Sequence, residues 1–277
     1  MTDLHLHTIA SDGRSTPSEL VDLAAAAGLT AMAVTDHDTT VSVADVRQFA
    51  ERRGIEAVPG IEITAVLHGR DLHMLGYFFE PRSPGLVSFL VAQREERIAR
   101  VEAIVARLTE LKMPLNFAAQ IEVARRPTGT SLARPHVARA MVAAGYAKTV
   151  QAAFDLWLAE GRPAFIERVG PSPAEVAAIV HAAGGLISLA HPGRTRVDAE
   201  IPGMVEAGLD AIEVFHSDHD AGLVSRYHAM ATQLGVLMTG GTDFHADPAS
   251  PLTVGTVTLP PHEWERLRAA RNRHRPQ

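Results

Sequence analysis

The chain contains no cysteine. Disulfide scaffolds, Cys-ligated zinc, iron–sulfur clusters and thiol nucleophiles are therefore excluded, and a reducing, cytoplasmic location is expected. Aromatic residues are scarce at 5%. With no basic–aromatic stripe, a broad stacking platform for long single strands is not expected. Positive charge is not in surplus: 26 Lys and Arg stand against 32 Asp and Glu, for a formal net charge of −6. No global field draws the chain to duplex DNA or to an anionic membrane, so any anionic ligand has to be caught locally. No apolar run approaches the ~18 residues of a membrane span. The opening MTDLHLHT has neither the basic nor the apolar stretch of a signal peptide. The P-loop, HExxH and GxSxG motifs are all missing.

What is present is an ordinary globular composition, 46% hydrophobic and 21% charged over 277 residues. That length makes one large domain or two small ones and buries roughly 70–75% of the unfolded surface. Histidine is the exception, with 14 residues. Short apolar strands are expected at 2–8, 31–35, 56–64, 72–79, 185–190, 211–215 and 237–240, with a last one at 253–259. The fourth reads as a hairpin partner of the third, turning at His68-Gly69-Arg70. Thr16-Pro-Ser-Glu19 and Ser172-Pro-Ala-Glu175 are capping boxes with Pro in the first turn, so each starts a helix. Alternating strands and helices imply a parallel sheet, open or closed into a barrel. Between residues 84 and 168 the pattern changes. Ile98, Val101, Ile104, Val105, Leu108 and Leu111 follow a 3.6-residue period opposite a charged face. Shorter helices are expected at about 116–125, 135–144 and 150–160. The Arg-rich tail from Arg266 to Arg275 reads as a solvated helix end.

Metal-binding residue types recur at the strand ends. His5 and His7 close the first strand, and residues two apart on a strand share one face. Asp12 lies in the loop that follows. Asp36-His37-Asp38 closes the second strand, Glu62 the third, and His73 lies on the fourth. His191 closes the strand ending at Ala190, and Asp243-Phe-His245 follows Gly240-Gly241. In β/α barrels the site is built from loops at the C-terminal strand ends. Nine candidate ligands exceed the needs of one ion, so two or three divalent metals are implied. Mixed nitrogen and oxygen donors suit Mn2+, Zn2+ or Fe2+.

The motifs DLHLHT, SDGRSTPSEL, AVTDHDT, PGIEIT, LHMLGY, SLAHPGR and GTDFH resemble, in order, those of the PHP (polymerase and histidinol phosphatase) family. With ARPHVAR in the helical stretch, the chain is similar to the subfamily of nucleoside 3′,5′-bisphosphate phosphatases. The resemblance implies a distorted (β/α)7 TIM-like barrel formed by 1–83 and 169–277, with 84–168 as an all-helical insertion. It implies first-metal ligands His5, His7, Glu62 and Asp243. Glu62 would bridge to a second metal, preferably Mn2+, held by His73 and His191, and Asp12, His37 and His245 would hold a third. Many members carry His where this chain has Asp12, so the third position here is harder and more negative. The implied reaction is removal of the 3′-phosphate from a nucleotide such as adenosine 3′,5′-bisphosphate, by attack of a metal-bridging hydroxide. Asp243, His191 and His216 are the candidate catalytic residues. Arg134, His136, Lys148, Arg194 and His216 are the candidate phosphate handles, with Arg134 and His136 at a helix N-terminus. Rival readings are a 5′-end exoribonuclease on short RNA, a cyclic phosphodiesterase, histidinol-phosphate phosphatase and an amide or lactone hydrolase. A metal-binding structural or partner-binding module is the non-enzymatic reading. Oligomeric state is left open.

Overall fold

The structure, a computed structural model, describes residues 1–275. Seven strands form one sheet in sequence order: β1 (Thr2–Leu6), β2 (Ala31–Val34), β3 (Glu56–Leu67), β4 (Arg70–Tyr77), β5 (Leu186–Leu189), β6 (Ala211–His216) and β7 (Leu237–Gly241). β1–β2–β3 and β5–β6–β7 are parallel, while β4 runs antiparallel to both its neighbours. The reversal follows from the two-residue turn at His68-Gly69, whose φ angles of 51° and 75° match a tight hairpin turn. The sheet curls until β1 meets the residues just past β7. His7 N–H donates to Phe244 O at 3.0 Å and Asp243 N–H donates to His5 O at 2.9 Å. Gly241 sits on this seam, where a Cβ would lie 2.4 Å from His5 N, so only glycine permits the approach.

Leu4, Ala33, Val58, Leu75, Leu186, Ala211 and Leu237 pack together, one from each strand, and therefore fill the barrel interior. The helices α1 (Pro17–Ala26), α2 (Val43–Arg52), α7 (Pro173–Ala182), α9 (Ile201–Glu206) and α10 (Ala221–Leu234) cover the outside, and the short α8 (Pro192–Thr195) follows β5. Both capping boxes are formed, with Thr16 and Ser172 accepting from Glu19 and Glu175 N–H. The last helix, α11 (Pro261–Ala270), contributes Trp264 and Leu267 to the interior cluster. No helix among the described residues is long and apolar enough to cross a membrane.

Between β4 and α7 the chain forms α3 (Pro84–Glu110), α4 (Ala118–Ala124), α5 (Arg134–Ala143) and α6 (Val150–Ala153). Leu86 and Leu90 of α3 pack on the barrel's outer core, whereas Ile98, Val101, Ile104 and Leu108 pack with Val137, Met141 and Leu158 in a second core. Each such fully buried side chain contributes about 1.5–3 kcal/mol. Two sequence expectations are corrected. The helix expected at 150–160 is one α turn followed by a wider π turn over Phe154–Leu158. No strand forms at 253–259: Pro251, Pro260 and Gly255, with φ at 77°, give a turn closed by Thr253 and Thr256 instead.

Candidate active site

Strand pairing continues past the strand ends and sets the site. Glu62 O accepts Asp38 N–H at 2.9 Å, and Asp36 O accepts Glu62 N–H at 3.3 Å, which brings His37 beside Glu62. The hairpin register pairs His73 with Thr64, two residues beyond Glu62. The seam described above holds Asp243 against His5 and His7. Asp36 is spent on structure: its carboxylate accepts from Thr8, Ser11 and Ser42 and holds the ligand-bearing loop. Asp38, His191 and Asp243 all have left-handed backbone, with φ of 49°, 27° and 54°. Each costs about 1–3 kcal/mol, the kind of strain that collects where side chains must be aimed.

Nine side chains converge. Glu62 Oε2 lies 3.3 Å from His5 Nε2 and 3.2 Å from both His7 Nε2 and His37 Nδ1. Asp243 Oδ1 lies 3.3 and 3.1 Å from the same His5 and His7 nitrogens. The other Glu62 oxygen, Oε1, faces His73 Nδ1 at 2.6 Å and His191 Nε2 at 3.2 Å. Asp12 meets His245 Nε2 at 3.2 Å, His37 Nε2 at 3.8 Å and His7 Nδ1 at 4.0 Å. These donors fit metal ions. Ligands bound to one ion at 2.0–2.2 Å lie about 3.0–3.5 Å from each other, the spacing found around Glu62 Oε2 and Asp243 Oδ1. His7 Nε2, His37 Nδ1, His73 Nδ1 and Asp12 Oδ1 are buried and make no hydrogen bond. Such orphans need partners, and cations held within the constellation are partners these atoms can face.

The charges are arranged to match. Burial alone pushes Glu62, Asp243 and Asp12 up, but the surrounding imidazoles pull all three well below the usual carboxylate range. Burial pushes His5 and His7 down, yet the facing carboxylates win; His5 is raised well above its ordinary value and His7 to about 10. Burial prevails at His37, lowered to about 3, and at His191, lowered to about 4, so both stay neutral.

The ligands open into a cavity of about 760 Å³ between barrel and helical segment. Its wall carries a block of arginines. Arg97, from α3, donates to Asp38 and to Thr64 Oγ1 at 2.8 Å, and Arg168 reaches the same Asp38 at 3.1 Å. Arg100 and Arg134 share Asp71 at 2.9 and 3.0 Å. Arg134 also lies over the Phe154 and Phe165 rings. Four guanidinium groups are thus balanced by two carboxylates. Arg168 Nε and one terminal nitrogen of Arg100 are buried without a partner.

Residues 3–111 match the PHP domain family. Over 265 residues the chain is 31% identical to a 3′,5′-nucleoside bisphosphate phosphatase from Chromobacterium violaceum, covering 94% of this chain and 92% of that one. The chain belongs to the PHP family. It is also 32% identical to the 5′-3′ exoribonuclease Rnm of Escherichia coli, over 88% of this chain and 84% of Rnm. A presumed metal-dependent phosphoesterase from Bifidobacterium adolescentis has the same fold, with a TM-score of 0.87, 31% identity and coverage of 97% and 95%. With this donor set, the PHP chain is a metal-dependent phosphoesterase on a nearly closed seven-stranded barrel.

The nine residues expected as PHP metal ligands all lie in this one constellation. The expected phosphate handles separate. Arg134 and Arg194 line the cavity. His136 does not: its Nδ1 accepts Ala133 N–H at 3.1 Å and so caps α5 itself, and its Nε2 meets Ser11 O at 3.0 Å and fastens α5 to the Asp12 loop. Lys148 is exposed and outside the cavity lining. His216 is corrected too. It is buried behind Asp243, its Nδ1 accepts Asp218 N–H at 3.0 Å, and its Nε2 faces Asp243 Oδ2 at 3.6 Å. It lies outside the cavity lining, and its Nε2 is buried without a hydrogen-bond partner. In the Arg-rich tail, Arg273 and His274 are not merely solvated; both dock on Asp210, which also meets His181. The His181 and His274 rings stack at 3.6 Å and 16°, so no ion can lie in both ring planes.

Sequence reasoning missed Arg97, Arg168 and Arg139, which also line the cavity, and Glu213 behind it. A signal existed for Arg97. The core-facing stripe of α3 runs Leu86, Leu90, Gln93, Arg97, Ile104 and Leu108, all buried, with two polar residues in its middle. Polar residues inside an apolar stripe mark a place where the helix faces something polar.

Proposed function

We propose that the protein removes the 3′-phosphate of nucleoside 3′,5′-bisphosphates, such as adenosine 3′,5′-bisphosphate, leaving the 5′-monophosphate. One observation carries this reading: the metal-ligand cluster and a block with two surplus positive charges share one cavity. A substrate with two phosphates uses both; a simple monoester uses one. The Chromobacterium relative's name agrees with it. In this reading residues 84–168 form a cap that supplies most of the second-phosphate grip, 1–83 with 169–277 supply the metal-bearing barrel, and the location is cytoplasmic.

We assign His5, His7, Glu62 and Asp243 to a first metal, Glu62, His73 and His191 to a second, and Asp12, His37 and His245 to a third, with Mn2+ preferred over Zn2+ or Fe2+. When bound, such ions supply a hydroxide nucleophile at neutral pH and positive charge for the transferring phosphoryl group. The protein's own groups do the rest. Glu62 divides its two oxygens between the first and second positions. Asp243, held low by its imidazole neighbours, is a poor proton acceptor and acts as an anchor, its Oδ2 lying 3.2 Å from Arg194. Arg97, Arg100, Arg134 and Arg168 hold the 5′-phosphate and so orient the 3′-phosphate.

The test is phosphate release by Mn-loaded protein from adenosine 3′,5′-bisphosphate, 5′-AMP, a short 5′-phosphorylated RNA and histidinol phosphate. Rapid conversion of the bisphosphate to 5′-AMP, with 5′-AMP spared, is expected. No release from any substrate by metal-loaded protein would overturn the assignment.

A second reading, 5′-end trimming of short RNA, is favoured by a groove of about 530 Å³ lined by Ile9, Val123 and Leu132. It shares Arg14, Leu132 and Arg139 with the main cavity. The chemistry is continuous with the first reading. In both substrates the bond between phosphorus and the first nucleotide's 3′ oxygen breaks; in RNA another phosphate oxygen carries the rest of the chain, which the groove can seat.

A further inference from the structure

Glu213, on β6, is fully buried and outside the cavity lining. It cannot touch substrate, yet both its oxygens reach the site. Oε1 lies 2.9 Å from His5 Nδ1, and Oε2 accepts His191 N–H at 2.7 Å. An ionised carboxylate accepts only, so when the His5 ring gives up a proton to ligate, the one it keeps stays on Nδ1. Nε2 is then left to face Glu62 and Asp243, at 3.3 Å from each. His191 is held through its backbone, at φ 27° and ψ 59°, a conformation that L residues rarely adopt. From that backbone its ring reaches Glu62 Oε1.

We propose that Glu213 is a positioning residue for two metal positions at once: the first through the His5 ring, the second through the His191 main chain. Outer contacts of this kind fix ligand tautomer and orientation. His5, Glu213 and His216 are close enough together to suggest a further ion site, but the bonds present speak against one. Both Glu213 oxygens are already engaged, Oε1 by His5 Nδ1 and Oε2 by His191 N–H. The neighbouring backbone carries the same logic: a single carboxylate spans the end of β1 and the end of β5, so the two ligands cannot be reoriented independently.

The inference rests on the metal reading above, and substitution at 213 separates the two. Glu213→Gln keeps the shape, but an amide offers one acceptor and one donor. It can serve the His5 N–H or the His191 N–H, not both. Glu213→Met serves neither. Metal content is measured on chelator-stripped protein equilibrated with graded free Mn2+, with unfolding curves showing that each variant is folded. The expected order of affinity at both positions is wild type, then Gln, then Met, with losses of about 10- to 100-fold. Glu62 alone could couple the positions, so the same Met substitution is made in a His5→Ala background. There it should still weaken the remaining metal at least about tenfold, through His191. Unchanged metal binding in Gln and Met variants, or no effect of Met in the His5→Ala background, overturns the proposal. Failure of the wild-type protein to bind any metal would instead overturn the metal reading itself.

Discussion

Arg134→Ala is the sharpest test of a two-phosphate grip. Arg134 is three-quarters buried, tied to Asp71 at 3.0 Å, and packed over Phe154 and Phe165 at 5.9 and 5.8 Å. Its charge is therefore oriented before substrate arrives, and little side-chain entropy remains to be lost on binding. A hydrogen bond to a charged group contributes about 1.5–3 kcal/mol, equivalent to roughly 10- to 150-fold in kcat/KM. The loss should fall in the upper half of that range. Without Arg134, Asp71 neutralises Arg100 alone, and the surplus charge facing the second phosphate shrinks by one. Steady-state kinetics on adenosine 3′,5′-bisphosphate should show a raised KM, while an aryl monophosphate, which has no second phosphate, should change by less than about twofold. Arg134→Lys should recover only part of the loss, because an ammonium lacks the planar fork that meets phosphate at two points. Equal losses on both substrates would refute the reasoning and reduce Arg134 to a structural partner of Asp71.

Asp38→Asn keeps the left-handed backbone within reach, since Asn tolerates it, but leaves Arg97 and Arg168 with no shared carboxylate. Breaking such a buried pair costs about 3–5 kcal/mol, or a Tm lowered by roughly 6–20 °C; a shift below about 2 °C in thermal unfolding would contradict the pairing. Metal loading should release protons, because His5 and His7 are protonated beside their carboxylates while His37 and His191 are already neutral. The sign follows: groups with raised pKa must lose a proton to ligate, so affinity rises with pH. Calorimetry in buffers of different ionisation enthalpy should find net proton release, with His5 and His7 contributing about two protons and His245, also raised, adding to them, and an affinity flat between about pH 6 and 8 would oppose this. Val123→Asp in the groove should slow trimming of a 5′-phosphorylated RNA and leave the mononucleotide bisphosphate untouched; equal effects would mean the groove seats no second nucleotide. Leu108→Ala, in the second core, should cost about 2–5 kcal/mol in denaturant unfolding, and a loss under 1 kcal/mol would mean that core collapses around the gap.

By itself the sequence determined the local grammar. Period-2 and period-3.6 patterns, with Pro and Gly at their ends, set seven strands and the long α3 helix, because those signals act over neighbouring residues. The metal-ligand types were legible for the same reason: each His or carboxylate sits beside a recognisable strand end. Where a helix or turn depends on distant partners the reading failed. The 253–259 segment has strand-like residues but is bracketed by prolines and turns at Gly255, with one backbone bond from Leu259 to Thr2. His136 and His216 looked like handles because a lone imidazole in sequence carries no record of its two nitrogens' partners. Only the tertiary structure decided which lone pairs were free. It brought Asp243 across the seam to His5, and it set Glu213 between His5 and His191, 208 and 22 residues away in the chain. It also turned Arg97 and Arg100 of α3, Arg134 of α5 and Arg168 before α7 toward one cavity from three segments. A charge surplus is a property of a volume, and sequence distance does not measure volume.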